Sequence, residues 1–278
     1  MREIKSSAAV FIIFALTLGL IVPVSSFGNE QDTFEYKLNK EFFKRFGSDV
    51  YEVIKSPAGW QGHDLWRLTA VLGAGTFLFV FDENIDDWSQ ERRTPSSEDV
   101  AQFGSALGDG KYLGAMIATL YIAGEVFGKR GLRKTALLSL ESWLTSGAFV
   151  LGMKAITGRA RPYTDKGPYA FHPITFRSDH SSFPSGHATS AFALAAVIAD
   201  QSDCLAIDIL AFSLSSFVAI SRVHERSHWA SDAFIGAAIG YFIGKKISAL
   251  HKGKDRKNIQ IGFCLSPRTK GLTVSLYF

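Results

Sequence analysis

Residues 183–200 read FPSGHATSAFALAAVIAD, a tight polar knot, Pro184-Ser185-Gly186-His187, joined directly to a long apolar run. Ser and Gly ahead of such a run form a helix start, and the abundance of Ala behind them suits a helix packed closely by its neighbours. The knot therefore sets a histidine at the mouth of an apolar helix. How many helices accompany it decides the fold.

Six apolar segments lie at roughly 68–81, 112–128, 135–153, 187–199, 204–221 and 229–248, each rich in Ala, Leu, Phe and small residues. They predict an all-α helical domain over 67–250, a bundle of about six core helices with the active site at one end. Residues 29–66 form a mixed, aromatic N-terminal segment, and residues 82–99, DENIDDWSQERRTPSSED, read as a polar loop with solvated carboxylates. The period changes near the end of the chain: Ile259, Ile261, Phe263 and Leu265, then Leu272, Val274, Leu276 and Phe278, alternate with other residues on either side of SPRTKG. This pattern predicts a β-hairpin over 258–278 packed on the helical body. Two strands cannot close a membrane barrel.

The chain has 278 residues, 47% hydrophobic and 20% charged, which suits one sizeable folded domain and excludes a disordered chain. Its first thirty residues, MREIKSSAAVFIIFALTLGLIVPVSSFGNE, carry Arg2 and Lys5 ahead of an uncharged run with small residues near its end. This is the order of a signal peptide, read over 1–28, with an uncleaved anchor helix as the alternative. Either reading exports the domain, to the periplasmic face of the cytoplasmic membrane. The uncharged cores of the later segments, such as Leu68 to Phe81, Ser142 to Met153 and Ala233 to Gly244, are shorter than the roughly 18–20 residues of a full crossing. A globular or membrane-sunk domain is therefore expected ahead of six spans. The basic stretch 245–257, KKISALHKGKDRK, suits a solvated tail or lipid headgroups, and no nucleic-acid partner is expected for an exported chain. Cys204 and Cys264 have no CxxC spacing, so a zinc site is unsupported, and their pairing stays open.

Three clusters carry chemistry. KAITGRARPY holds Lys154, six residues, then Arg161-Pro162; the knot holds Pro184-Ser185-Gly186-His187; SRVHERSHWASD holds Ser221-Arg222, five residues, His228, three residues, and Asp232. Each alone has an ordinary explanation: Arg-Pro ends a helix, Ser-Gly caps one, and His and Asp four apart can pair on a helix surface. Together they put three cations, two histidines, a Ser, a Gly and a carboxylate at the borders of apolar helices. Cations converging on one place need an anion, and phosphate suits guanidinium and ammonium groups.

In order and spacing the eleven positions of these clusters resemble the motifs of the type 2 phosphatidic acid phosphatase and vanadium haloperoxidase superfamily, over roughly residues 60–250. The resemblance implies a phosphoric ester hydrolase. Lys154, Arg161 and Arg222 are then expected to bind the phosphate oxygens, with Ser185 and the Gly186 N–H adding donors at a helix N-terminus. His228 is expected as the nucleophile that forms a phosphohistidine. Asp232 is expected to accept its other ring N–H, and His187 to act as general acid and then base. The scheme uses no metal and no cofactor. Its substrates are expected to be lipid phosphates, such as phosphatidic acid or a polyprenyl diphosphate, with soluble phosphate esters open. The alternatives are a vanadium-dependent haloperoxidase, because vanadate takes the geometry of the phosphoryl transition state, and a non-catalytic lipid-binding protein. His63, Asp64, His172, His180 and the HER at 224–226 read as polar loop groups, with 180–183 beside the substrate entrance.

Overall fold

The structure, a computed structural model, describes residues 36–202 and 204–251, with the backbone of 260–261 and 274–275. The described residues form eight α-helices: α1 (Lys40–Lys55), α2 (Gly62–Glu91), α3 (Pro95–Leu107), α4 (Gly110–Val126), α5 (Arg130–Thr157), α6 (Gly186–Gln201), α7 (Leu205–His224) and α8 (Ala230–Leu250). All six apolar segments lie on helices, α2 and α4 to α8, and α1 and α3 add to them. At the C-terminal end Gln260 pairs with Ser275 and Ile261 with Val274, antiparallel. This contact falls short of the expected hairpin. The rest of that hairpin, the signal peptide and Cys264 lie outside the described residues.

The expected polar loop at 82–99 is largely helical. α2 continues to Glu91, and a reciprocal cap starts α3: Ser97 N–H donates to Thr94 Oγ1 at 3.1 Å, and Thr94 N–H to Ser97 Oγ at 2.9 Å. Two of the carboxylates expected in solvent, Asp82 and Asp86, are turned inward because each meets an arginine, while Glu83 and Asp87 are exposed as expected. Asp82 accepts from Arg159 at 2.8 Å, and Asp86 lies 2.9 Å from Arg226.

Helix α6 is the centre of the bundle, buried from Ala193 to Gln201 without a break and wrapped by α5, α7 and α8. Its closest partner is α8, and the reason is a row of glycines four apart. A Cβ on Gly236 would lie 2.6 Å from the Ser185 carbonyl oxygen, one on Gly240 would overlap the Thr189 carbonyl oxygen, and one on Gly244 would lie 2.6 Å from that of Ala193. The two backbones thus touch along three turns, which bare glycines permit. Leu138, Val197, Ile243 and Ile247 close the core beside this seam.

Four helices, α2, α5, α7 and α8, are long and apolar enough to cross a membrane by length and composition. The short cores seen in the sequence underestimate them, because charged residues interrupt the apolar run without ending the helix. Asp82, paired with Arg159, sits inside the 30 residues of α2, about 45 Å of helix. Only 6% of the apolar window of α2 is buried, so its Leu72, Phe77 and Val80 face outward, as in a helix with lipid for a neighbour. The chain is membrane-associated.

The glycine seam yields a stability test. Gly240→Ala is expected to lower the unfolding free energy by about 1–3 kcal/mol, the usual cost of overpacking. Gly47→Ala in α1, where a Cβ meets nothing within 4 Å, is expected to leave it equal or higher. Denaturant titration of both variants in one detergent checks the contrast.

Candidate active site

Helix α5 delivers Lys154 in its last turn and stops at Gly158, whose φ of +56° is left-handed and whose missing side chain leaves room for the His172 backbone. The chain then runs extended through Arg159 and Arg161 and is laced to residues 179–182. Arg161 N–H donates to the Asp179 carbonyl at 3.0 Å, and Ser182 N–H to that of Arg159 at 3.0 Å. Arg161 Nη2 reaches Ser181 Oγ at 3.0 Å, and Lys154 Nζ donates to the Ser181 carbonyl. One more bond joins the second cluster to the third: Ser185 N–H to the Asp232 carbonyl at 3.0 Å. The α6–α8 seam thus brings the starts of the two helices side by side.

Lys154, Arg161 and Arg222 converge on His228, which is 2% exposed. Burial, then these three cations in that order, hold its imidazole well below the usual histidine range. It is neutral at pH 7. His187, one residue into α6, lies against the turn at Gly108, where a Cβ would come within 3.1 Å of its own. It is lowered to about 4, first by burial and next by Arg222, while Asp109 opposes the shift and Arg161 and Lys154 add to it. Gly186 lies open to Lys154, whose Cε is 4.0 Å from where a Cβ would stand.

Several donors of this cluster lack acceptors. Arg161 Nε, Arg222 Nε and Ser185 Oγ are buried without a hydrogen-bond partner among the described residues. Ser185 occupies the N-cap of α6 but its hydroxyl makes no cap bond. Buried polar atoms are nearly always satisfied, so unsatisfied donors gathered around two neutral imidazoles mark a place for an anion. The first N–H groups of α6 point the same way by construction.

Asp232 differs from expectation. Its carboxylate does not hold the ring of His228. Oδ1 accepts from Arg159 Nη1 at 2.6 Å, while Oδ2 accepts from the Ser182 hydroxyl at 2.5 Å and from Trp229 N–H at 3.1 Å. His228 Nδ1 meets the Ser182 carbonyl instead, at 2.6 Å. The expectation assumed one helical turn between His228 and Asp232, but α8 begins at Ala230 behind an N-cap at Trp229. His228 is thus outside the helix, and Asp232 turns to the buried guanidinium.

That guanidinium is the residue the spacing missed. Arg159 is fully buried; besides Asp232 it donates to Asp82 at 2.8 Å, to Ser231 Oγ at 2.8 Å and to the Pro168 carbonyl at 2.9 Å. Phe79, Phe171 and Trp229 enclose it. The signal was present as a second arginine in GRARPY together with an acidic pair after an apolar run, but nothing in spacing alone joins Asp82 to Arg159. The HER triplet, read as loop polar groups, begins on the last residue of α7 and makes several polar contacts. His224 bonds Ser89 and Ser97, Glu225 accepts from Arg222 and Ser105 at 2.6 Å each, and Arg226 pairs with Asp86 and Asp165. His180, expected beside the entrance, is 1% exposed, with Nδ1 against the Gly158 carbonyl.

Residues 135–256 match the sequence model described as the PAP2 superfamily. This segment, less than half of the chain, is similar to that superfamily. It contains every one of the eleven motif positions. Among curated proteins, the chain is similar to a Lipid A 1-phosphatase of Porphyromonas gingivalis, 30% identical over 167 residues, 58% of this chain and 34% of that protein. A Lipid A 1-phosphatase of Rhizobium etli is 25% identical over 197 residues, 66% of this chain and 82% of that one. The chain thus spans about a third of the first relative and most of the second. The crystal structure of Aquifex aeolicus LpxE superposes with a TM-score of 0.50 at 21% identity, over 60% of this chain and 94% of that one, a likeness of fold.

The matched segment thus holds one arginine that is fully paired and others with an open donor. Arg159→Met leaves Asp82 and Asp232 buried without their cation and is expected to cost about 3–5 kcal/mol of stability. Arg161→Met removes a cation from a cationic cluster and is expected to leave stability nearly unchanged while weakening inhibition by inorganic phosphate. Thermal unfolding and phosphate titration of the two variants distinguish them.

Proposed function

We propose that this protein is a metal-independent phosphatase that removes phosphate from a membrane lipid through a phosphohistidine on His228. The carrying observation is the set of buried, unpartnered donors, Ser185 Oγ, Arg161 Nε and Arg222 Nε, beside a buried neutral histidine. Lys154, Arg161 and Arg222 stabilise the equatorial oxygens of an in-line phosphoryl transfer, a task met elsewhere by Mg²⁺. His228 Nε2 forms a bond to phosphorus as the bond to the leaving oxygen breaks, and His187 gives that oxygen its proton. Water then attacks the phosphohistidine, His187 takes the water's proton, and inorganic phosphate leaves.

The substrate reading rests on surroundings and relatives together. The exposed apolar faces of the helices favour a phosphate carried on acyl chains, and the relatives bear the name Lipid A 1-phosphatase. Lipid A 1-phosphate is therefore the first substrate to test, ahead of phosphatidic acid and polyprenyl diphosphates. The leader-like opening supports a site on the periplasmic face of the cytoplasmic membrane.

A phosphate-release panel in detergent, with and without EDTA, tests the reading. Lipid phosphates are expected to be hydrolysed faster than a soluble aryl phosphate, with EDTA without effect and His228→Ala inactive. Release unchanged in that variant removes the proposed nucleophile. Phospholipid binding without turnover would point instead to a lipid-binding protein, and vanadate-dependent halide oxidation to a haloperoxidase.

The two histidines also fix a pH pattern. The basic limb of kcat/KM reports His187 in the free protein, and that of kcat reports it in the complex. A bound phosphate dianion offsets the cations that depress His187, so the kcat limb is expected at higher pH than the kcat/KM limb. The acid limb, where His228 takes a proton, is expected well below pH 6.5. Coincident basic limbs would remove His187 from the acid role.

A further inference from the structure

The expected partner of the His228 ring was a carboxylate, yet the atom found there is a main-chain oxygen. A carbonyl oxygen can only accept, so at 2.6 Å from the Ser182 carbonyl the Nδ1 of His228 must carry the proton. That leaves the Nε2 lone pair free, as a nucleophile requires. Ser182 is itself fully buried, and three bonds fix it. Its N–H donates to the Arg159 carbonyl at 3.0 Å, its hydroxyl donates to Asp232 Oδ2 at 2.5 Å, and its own carbonyl receives the imidazole. Asp232 is held in turn by Arg159 Nη1 at 2.6 Å, and Arg159 by Asp82.

We propose that Ser182 is the positioning residue of this site: its main-chain carbonyl, rather than the Asp232 carboxylate, sets the His228 tautomer, and Asp232 acts on the histidine through the Ser182 hydroxyl. The chain of contacts runs Asp82, Arg159, Asp232, Ser182, His228. Three of these five residues lie outside the spaced motifs. Two functions that one carboxylate can combine are thereby separate in this site. The tautomer comes from a group that cannot ionise, and the charge sits one residue further away, already neutralised by a guanidinium. The inference takes His228 as the nucleophile, as in the proposed function, but the tautomer can be measured whether or not the chain turns over a phosphate.

The test is ¹⁵N NMR of the histidine rings in the detergent-solubilised full chain, with the His228 signals assigned by their loss in His228→Gln, alongside kinetics on the best substrate of the panel. Wild type is expected to show a protonated Nδ1. Asp232→Asn is expected to keep that tautomer, because the Ser182 carbonyl remains in place. Ser182→Ala loses the hydroxyl that anchors this residue to Asp232, so its carbonyl is no longer held against Nδ1, and the variant is expected to show a mixture of tautomers. Its kcat is expected to fall about 100-fold, the scale of a small misplacement of a reacting group, with KM changed little. A protonated Nε2 in Asp232→Asn, with the roughly 10⁴-fold loss in kcat of a wrong tautomer, would overturn the proposal in favour of direct carboxylate contact. So would Ser182→Ala with wild-type tautomer and kcat, and this variant decides the matter if Asp232→Asn does not fold. Wild type that shows the protonated Nδ1 yet releases no phosphate leaves the positioning intact and removes the hydrolase reading alone.

Discussion

A guanidinium with no water around it needs its charge answered on the spot, and the answer organises this molecule. Arg159 takes Asp82 from α2 and Asp232 from α8, and by its own backbone it belongs to the segment after α5. One buried cation therefore ties three separate parts of the chain, with aromatic rings from α2, the segment after α5 and the start of α8 closing over it. Such an arrangement adds little net stability compared with an apolar core of the same shape, but losing one partner is severe. Its use here is registration. Because Asp232 begins α8 and Asp82 ends the apolar stretch of α2, the pair sets how far those helices slide past the active-site end.

The glycine seam supplies the second registration. Gly236, Gly240 and Gly244 admit Ser185, Thr189 and Ala193 backbone to backbone, so α6 has one height along α8 and the Ser185 N–H meets the Asp232 carbonyl. Dispersion at such close range falls off within a fraction of an ångström, which is why small residues rather than large apolar ones set this crossing. The two registrations meet at Asp232, whose carbonyl serves the seam and whose carboxylate serves the cation.

These constraints explain which features the sequence disclosed. The six helical segments were legible because apolar composition and length speak for helices whatever their partners. The clustered cations and both histidines were legible because their spacing from helix borders is local. What was hidden depends on contacts across long separations. Asp82 and Asp86 look like solvated acids until their arginines, at 159 and 226, are brought beside them by the fold. The direction of the Asp232 side chain was hidden for the same reason: a spacing of four suggests a histidine partner, but a competing guanidinium decides otherwise. The segment from 82 to 99 misled because charge was taken for exposure.

The active-site end carries its tension in plain electrostatics. Arg222 has Glu225 at 2.6 Å, yet its Nε and that of Arg161 remain unsatisfied, and the charges of both arginines reach the two histidines. Cations at close range in a partly desolvated pocket repel one another by several kcal/mol at an effective dielectric near 20. The protein tolerates that cost because other elements already bind the clustered residues: Lys154 to the Ser181 carbonyl, Arg161 to Ser181 Oγ, Arg222 to Glu225 and Ser105. Both arginines are held through a terminal nitrogen and left open at Nε. A phosphate bound there, as proposed, would relieve this repulsion as well as form bonds. Only relief that is larger in the transition state than in the bound ground state would raise the rate. Under the proposed function the open guanidinium donors therefore have to be aimed at the transferring phosphoryl group rather than at the substrate as it arrives.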